Sequence, residues 1–137
     1  MTEKLAGGTI TPDVQAHFEN YVRTLNSGDA DGVNALYTED AVAVWEPGKP
    51  LSGAARREYT ANFVTTMKPH MKAKVHEAYV TGDTALLVVK WTMDTTDPEG
   101  NTESHEGVGL DVLARDASGE WRYAIDDPFG DAGHLRD

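Results

Sequence analysis

The chain has 137 residues, 39% of them hydrophobic and none of them cysteine, so one self-sufficient core is expected, with no disulfide, thiolate metal site or thiol nucleophile. Its 23 acidic residues against 12 Lys and Arg give a formal net charge of −11, a field that repels nucleic acid and anionic lipid. No run approaches the length of an apolar membrane span and residues 1–10 carry no export-type apolar stretch, so a cytoplasmic protein is expected.

Residues 1–10 read as a flexible tail, 11–130 as the domain and 131–137 as a second tail. Thr11-Pro12-Asp13 reads as a helix start, with a hydroxyl cap, a proline in the first turn and an acid at the positive end of the dipole. Val14, Phe18, Tyr21, Val22 and Leu25 then recur on one helical face until Asn26-Ser27-Gly28 stops it. Asp29 caps a shorter second helix with Val33, Leu36 and Tyr37 inward, ending near Asp40. Residues 41–46 form a strand halted by Pro47-Gly48, and a loop runs through Leu51. Ser52 caps a third helix with Ala55, Tyr59, Phe63 and Met67 as its stripe, closed by Lys68-Pro69. Four strands follow at 72–81, 85–95, 102–115 and 120–127, joined by short Gly- and Asp-rich turns that favour antiparallel pairing. The expected class is α+β: a curved antiparallel sheet forming a cone, with three N-terminal helices packed on it, and an incompletely filled cone is a pocket.

In the third of those strands Gly107, Gly109, Asp111 and Leu113 share one face. Bare positions leave open volume beside the carboxyl, and a carboxyl facing apolar space keeps its proton. The plainer reading has the glycines let a helix approach or let the strand bend, with Asp111 at a solvated rim. Tyr21 lies mid-stripe, where it serves as a core aromatic or, with its hydroxyl unspent, as a donor. Alternation allows only one of Trp45 and Glu46 to face the cone unless a bulge before Pro47 swings Glu46 inward. Asp126-Asp127 reads as a solvated strand end or as an acid–base pair for cyclase or dehydratase chemistry. The five histidines show no metal-ligand spacing, and no metal or other cofactor is expected.

The stretch from Tyr21 to Val33, with Ala35-Leu36-Tyr37 and Asp40-Ala41, resembles the opening of ketosteroid isomerases and their SnoaL-like relatives in the nuclear-transport-factor-2-like superfamily. The likeness continues at Lys49-Pro50-Leu51-Ser52-Gly53 and returns at Leu110 to Leu113 and Phe129-Gly130. Gly119-Glu120-Trp121-Arg122 resembles a broad bacterial SnoaL-like branch. The resemblance implies a sheet wrapped by three helices, a homodimer, and a small apolar or polycyclic ligand. It places Tyr21 and Asp111 where the family has a tyrosine and a protonated aspartic acid forming an oxyanion hole, the arrangement known as a worked case of a neutral acid at pH 7. At the family's base position stands Trp45, with Glu46 one residue on, so Glu46 is the candidate proton carrier. Trp45, Phe63, Trp91, Gly109 and Phe129 are the expected ligand contacts. A non-catalytic ligand-binding or dimerising module is the competing expectation.

Overall fold

In a computed structural model that describes residues 5–131, three helices cover one face of a seven-stranded sheet. In chain order these are β1 (Gly7–Gly8), α1 (Pro12–Ser27), α2 (Ala30–Asn34), β2 (Tyr37–Glu46), β3 (Lys49–Leu51), α3 (Gly53–Met67), β4 (His70–Thr81), β5 (Thr84–Thr96), β6 (Thr102–Arg115) and β7 (Trp121–Asp127). The sheet order is β1-β4-β5-β6-β7-β2-β3, antiparallel except where β1 meets β4 and β2 meets β7. Hairpin links explain the antiparallel run from β4 to β7. The N-terminal segment taken as a tail supplies an edge instead, with Gly7 and Gly8 pairing with Glu77 and Ala78. Of the expected C-terminal tail, residues 132–137 lie outside the described residues.

Helix α1 buries Val14, Phe18, Tyr21 and Leu25 as its spacing dictates, and Gly28 ends it in the left-handed conformation at φ 80°. The hydroxyl cap is absent: Thr11 donates to Asp13 Oδ1 at 2.5 Å rather than receiving a backbone N–H. Asp29 does cap α2, accepting from Gly32 N at 2.9 Å. That helix is shorter than its apolar spacing suggests, and Tyr37 opens β2 instead of closing a helical stripe. Parallel pairing of Tyr37 with Tyr123 and the bond from Tyr123 N to Leu36 O recruit this segment to the sheet.

The inner face of α3 is offset by one residue from the expected stripe. Arg56, Thr60 and Val64 are buried, Ala55 is exposed, and Tyr59, Phe63 and Met67 flank the buried row and line a cavity. The apolar periodicity here marks a cavity wall, which keeps partial exposure, while the helix–sheet seam runs through a buried arginine. The core packs Leu25, Val33, Val64, Leu87 and Leu113, and buried Tyr123 reaches the cavity wall.

Candidate active site

The cone encloses a cavity of about 410 Å³, within the usual range of small-molecule sites. One wall is the stack of Trp45 on Tyr59 and Phe63, with ring planes inclined by 16° and 26°. Opposite lie Trp91 and Phe129, edge to face at 5.5 Å. Met71, Met93 and Val89 add apolar surface, and Tyr21, Asp111 and Asp126 form a polar floor. The cavity thus brings together Tyr21, Asp111, Trp45, Phe63, Trp91, Gly109 and Phe129.

Glu46 is the exception. Ala41, Ala43 and Trp45 keep the inward phase of β2, and the irregularity between Ala43 and Glu46 does not reverse it. Glu46 therefore faces outward, with its side chain about half exposed (52%), in an ion pair with Lys49 at 3.0 Å. It is not part of the cavity wall, so the expectation that it carries the proton is corrected.

The glycines of β6 also act differently from the open volume expected of them. A Cβ at Gly107 would lie 2.8 Å from Trp91 Cζ2 and 3.2 Å from Pro128 O, and one at Gly109 would lie 3.1 Å from Pro128 Cα. They admit the Trp91 indole and the chain after β7, which are joined by Trp91 Nε1 donating to Pro128 O at 2.8 Å. The nearest neighbours a side chain would meet at these positions are thus an indole and the chain after β7, not the approaching helix of the plainer reading. Asp111, however, is not at a solvated rim. It is 8% exposed at the end of the cavity.

Directly across from Asp111 in the β6–β7 register stands Asp126, 6% exposed and facing the same cavity. The two carboxyls share a hydrogen bond. Tyr37 donates to Asp126 Oδ2 at 2.6 Å, and the Tyr37 and Tyr21 hydroxyls are 3.2 Å apart. Because Tyr37 spends its single hydrogen on Asp126, Tyr21 is the donor in that second contact. Over the Tyr37 ring, 4.4 Å from its centroid, lies the guanidinium of Arg56, 1% exposed and donating to Asn34 Oδ1 at 3.0 Å.

These contacts set the proton inventory. Burial pushes the Asp111 carboxyl well above the usual range, reinforced by the negative charge of Asp126. Burial also raises Asp126, helped by Asp127, and the bonds from Asp111 and Tyr37 and the field of Arg56 offset that rise only in part. Arg56 is buried and positive, so one negative charge on the pair balances it. We therefore assign one proton to the two carboxyls: Asp111 neutral and donating, Asp126 ionised and receiving from Asp111 and Tyr37. Tyr21, Tyr37 and Tyr123 stay protonated, since burial raises all three hydroxyls well above their ordinary value.

The sequence carries no signal for Arg56, offers Tyr37 only as an inward residue of a helix, and leaves Asp126 between a solvated strand end and an acid–base role. Period two from Trp121 and Tyr123 places Ile125 inside and Asp126 outside. The β6–β7 register slips between Val112 and Leu113, so that Val112 pairs with Ile125 while Leu113 pairs with Tyr123, and the phase reverses. Asp126 turns in and Ile125 turns out. The solvated-end reading of Asp126 is thereby corrected.

A family model for the SnoaL-like domain matches residues 18–127, and the chain belongs to that family. Its fold is the nuclear-transport-factor-2-like cone shared by several solved structures. A conserved protein from Planctomyces limnophilus superposes with a TM-score of 0.77 at 17% identity, covering 85% of this chain and 92% of that one. A candidate dehydratase of the NTF2-like family from Streptomyces avermitilis gives 0.72 at 18%, covering 84% and 91%. A ketosteroid isomerase-like protein from Erwinia carotovora atroseptica gives 0.69 at 22%, also covering 84% and 91%. No match is found among curated proteins.

Proposed function

We propose that the cone binds a small, largely apolar oxygenated compound and catalyses proton transfer at a carbon next to its carbonyl. The observation that carries this reading is the pair Asp111 and Asp126, two buried carboxyls opposite each other in the β6–β7 register and lining the same cavity, to which we assign one shared proton. Two carboxyls whose surroundings drive them to opposite protonation states supply an acid and a base at the same pH. The carbonyl oxygen takes the hydrogen of Asp111, which leaves Asp126, and Tyr21 supports the same oxygen by turning from its long 3.2 Å contact with Tyr37. Asp126 removes the α-proton and becomes the acid: the C–H bond breaks, its electron pair forms the C=C bond, and the C=O π pair takes the Asp111 proton to give the enol, leaving Asp111 ionised. With a β,γ-unsaturated ketone, protonated Asp126 returns its proton to the γ-carbon while the enol O–H proton goes back to Asp111, which completes an isomerisation. With a β-hydroxy ketone, the hydroxyl leaves as water with the proton from Asp126 and the enol proton again returns to Asp111, which completes a dehydration. Asp126 thus takes the part first expected of Glu46.

The test is deuterium uptake at the α-carbons of 2-tetralone in D2O, followed by NMR. Wild-type protein is expected to exceed the buffer rate, and Asp126→Asn to lose about 10²- to 10⁴-fold of that enhancement. A wild-type rate equal to buffer while the ketone is bound overturns the catalytic reading and leaves a ligand-binding module.

A homodimer accompanies the proposal. On the sheet face away from the helices, Tyr79, Leu86, Val112, Ile125 and Val42 pair in sequence across five strands, and Tyr79, Leu86 and Ile125 are exposed. A continuous apolar row of this kind is what a second copy of the sheet would cover.

A further inference from the structure

The inward positions of β6 run Glu103, His105, Gly107, Gly109 and Asp111, and all of these but Gly107 line the cavity. Asp111 belongs to the floor. Glu103 and His105 stand at the far end of the same row, and no step of the proposed reaction uses them. The side chain of Glu103 is 73% exposed and that of His105 42%, whereas Asp111 is 8% exposed. Side chains that line a cavity and are this open to solvent mark the place where it opens. Strand rise over the residues between them puts His105 roughly 20 Å from Asp111, measured along β6.

The imidazole is held against the cavity wall. Its Nε2 lies 3.2 Å from the hydroxyl of Thr95, which is 2% exposed and lines the same cavity, and 3.8 Å from Glu103 Oε2. In the β5–β6 register Met93 stands opposite His105 and Thr95 opposite Glu103, so the ring reaches diagonally across the inner face to meet the hydroxyl. A solvated rim is polar as a rule, but Thr95 is buried, and the contact that fixes this ring is therefore made inside the wall.

Thr95 and Glu103 approach the same nitrogen. A relay of nucleophile, base and acid needs them on opposite nitrogens, so the cluster is built for recognition and not as a second triad. What it leaves for a ligand is the Glu103 carboxylate and His105 Nδ1, which makes no hydrogen bond among the described residues. On α3, Asn62 lines the same cavity, and its side-chain amide is likewise without a bond among the described residues. Glu103 accepts, the amide both donates and accepts, and Nδ1 does one or the other according to tautomer; a hydroxyl, which gives one hydrogen bond and takes others, satisfies such a set. A carboxylate, sulfate or phosphate there would meet the charge of Glu103 and the net charge of −11 on the whole chain.

We infer that Glu103 and His105, with Asn62, form a collar at the cavity mouth that binds a neutral hydroxyl at the outer end of the ligand and rejects anionic groups. The compound taken is then elongated, apolar in the middle and uncharged at its far end. This rests on the proposed function only for what occupies the floor.

The test is a fluorescence titration of the full chain with three trans-stilbenes. Each carries a 4-hydroxyl for the floor, and the 4′ position holds hydrogen, hydroxyl or carboxylate. The two oxygens of the dihydroxy compound lie roughly 12 Å apart, and a hydrogen bond of about 2.8 Å at each end brings its reach close to the distance along β6. Wild-type protein is expected to bind the dihydroxy compound about tenfold more tightly than the monohydroxy one, beyond the roughly twofold that symmetry alone gives, and the carboxylate about threefold more weakly. Both collar positions on β6 are open to solvent, so substitutions there spare the core. Glu103→Gln/His105→Leu is expected to reduce the dihydroxy advantage to the symmetry factor with the monohydroxy affinity unchanged. Glu103→Lys is expected to bind the carboxylate more tightly than the monohydroxy compound. A wild-type dihydroxy advantage no larger than the symmetry factor, or a carboxylate affinity that Glu103→Lys does not raise, overturns the collar, while binding of the monohydroxy compound leaves the floor standing. Wild-type protein that binds none of the three overturns the functional reading and the collar together.

Discussion

Replacing Asp111 by Asn gives the sharpest reading of the floor, because the amide copies the neutral acid in shape and bonding but cannot ionise. The Asn side chain still donates to Asp126 through its NH2 and still presents a carbonyl where Oδ1 stands. In the wild type, burial holds the Asp111 proton in the folded state well above the range in which an unfolded aspartate loses it. Between those two ranges the folded protein binds one proton more than the unfolded chain, so stability falls as pH rises, by about 1.4 kcal/mol per pH unit. That contribution is fully favourable below about pH 4, the ordinary aspartate range, and is eroded above it until the folded acid itself ionises. Asp126 sees a neutral neighbour in both proteins, so its own titration cancels in the comparison. Urea unfolding at half-unit steps from pH 4.5 to 7.5 is expected to show Asp111→Asn gaining on wild type with that slope, about 2.7 kcal/mol over two units inside the window. A stability difference that stays constant across this range would mean that Asp111 ionises in the fold like a free side chain, and the shared-proton floor would be refuted.

Asp126→Asn removes the carboxylate that accepts from the buried Tyr37 hydroxyl and is expected to destabilise by roughly 1 to 3 kcal/mol in urea unfolding, with Tyr37→Phe/Asp126→Asn losing less than the sum of the two single variants. Gly107→Ala places a methyl 2.8 Å from a Trp91 ring that its bond to Pro128 O holds in place, and is expected to destabilise by about 1 to 3 kcal/mol in thermal unfolding. Leu86→Lys puts a charge in the middle of the apolar row and is expected to convert a dimer to a monomer in sedimentation equilibrium; an unchanged mass would move the interface elsewhere. Asp13 accepts from the Thr11 hydroxyl and the Trp121 indole, which lower its carboxyl to about 2, so its contribution is present above the ordinary aspartate range and is lost as the pH falls toward 2. Asp13→Asn is expected to flatten that acid limb of the stability profile, as measured by circular dichroism from pH 5 to 2.

The fold was legible because its signals are local. The stripe of α1 with its Gly28 stop, the Asp29 cap, and the turn-separated strands from β4 to β7 each follow from residues within a few positions of one another. Local periodicity also grouped Asp111 with Gly107, Gly109 and Leu113 and Trp45 with Ala41 and Ala43, but did not say which face of each strand is inner. What the sequence alone could not decide depends on partners distant in the chain. Tyr37 joins a strand because β7, over 80 residues later, offers it a parallel edge, and the α3 seam runs through Arg56, whose guanidinium packs over the Tyr37 ring and donates to Asn34. Asp126 enters the site through a register slip against β6, and Glu46 leaves it because β2 keeps its phase. A side chain's type is written in the sequence, but the face it takes in a strand reverses with a single unpaired residue, and only the packed sheet fixes where that residue falls.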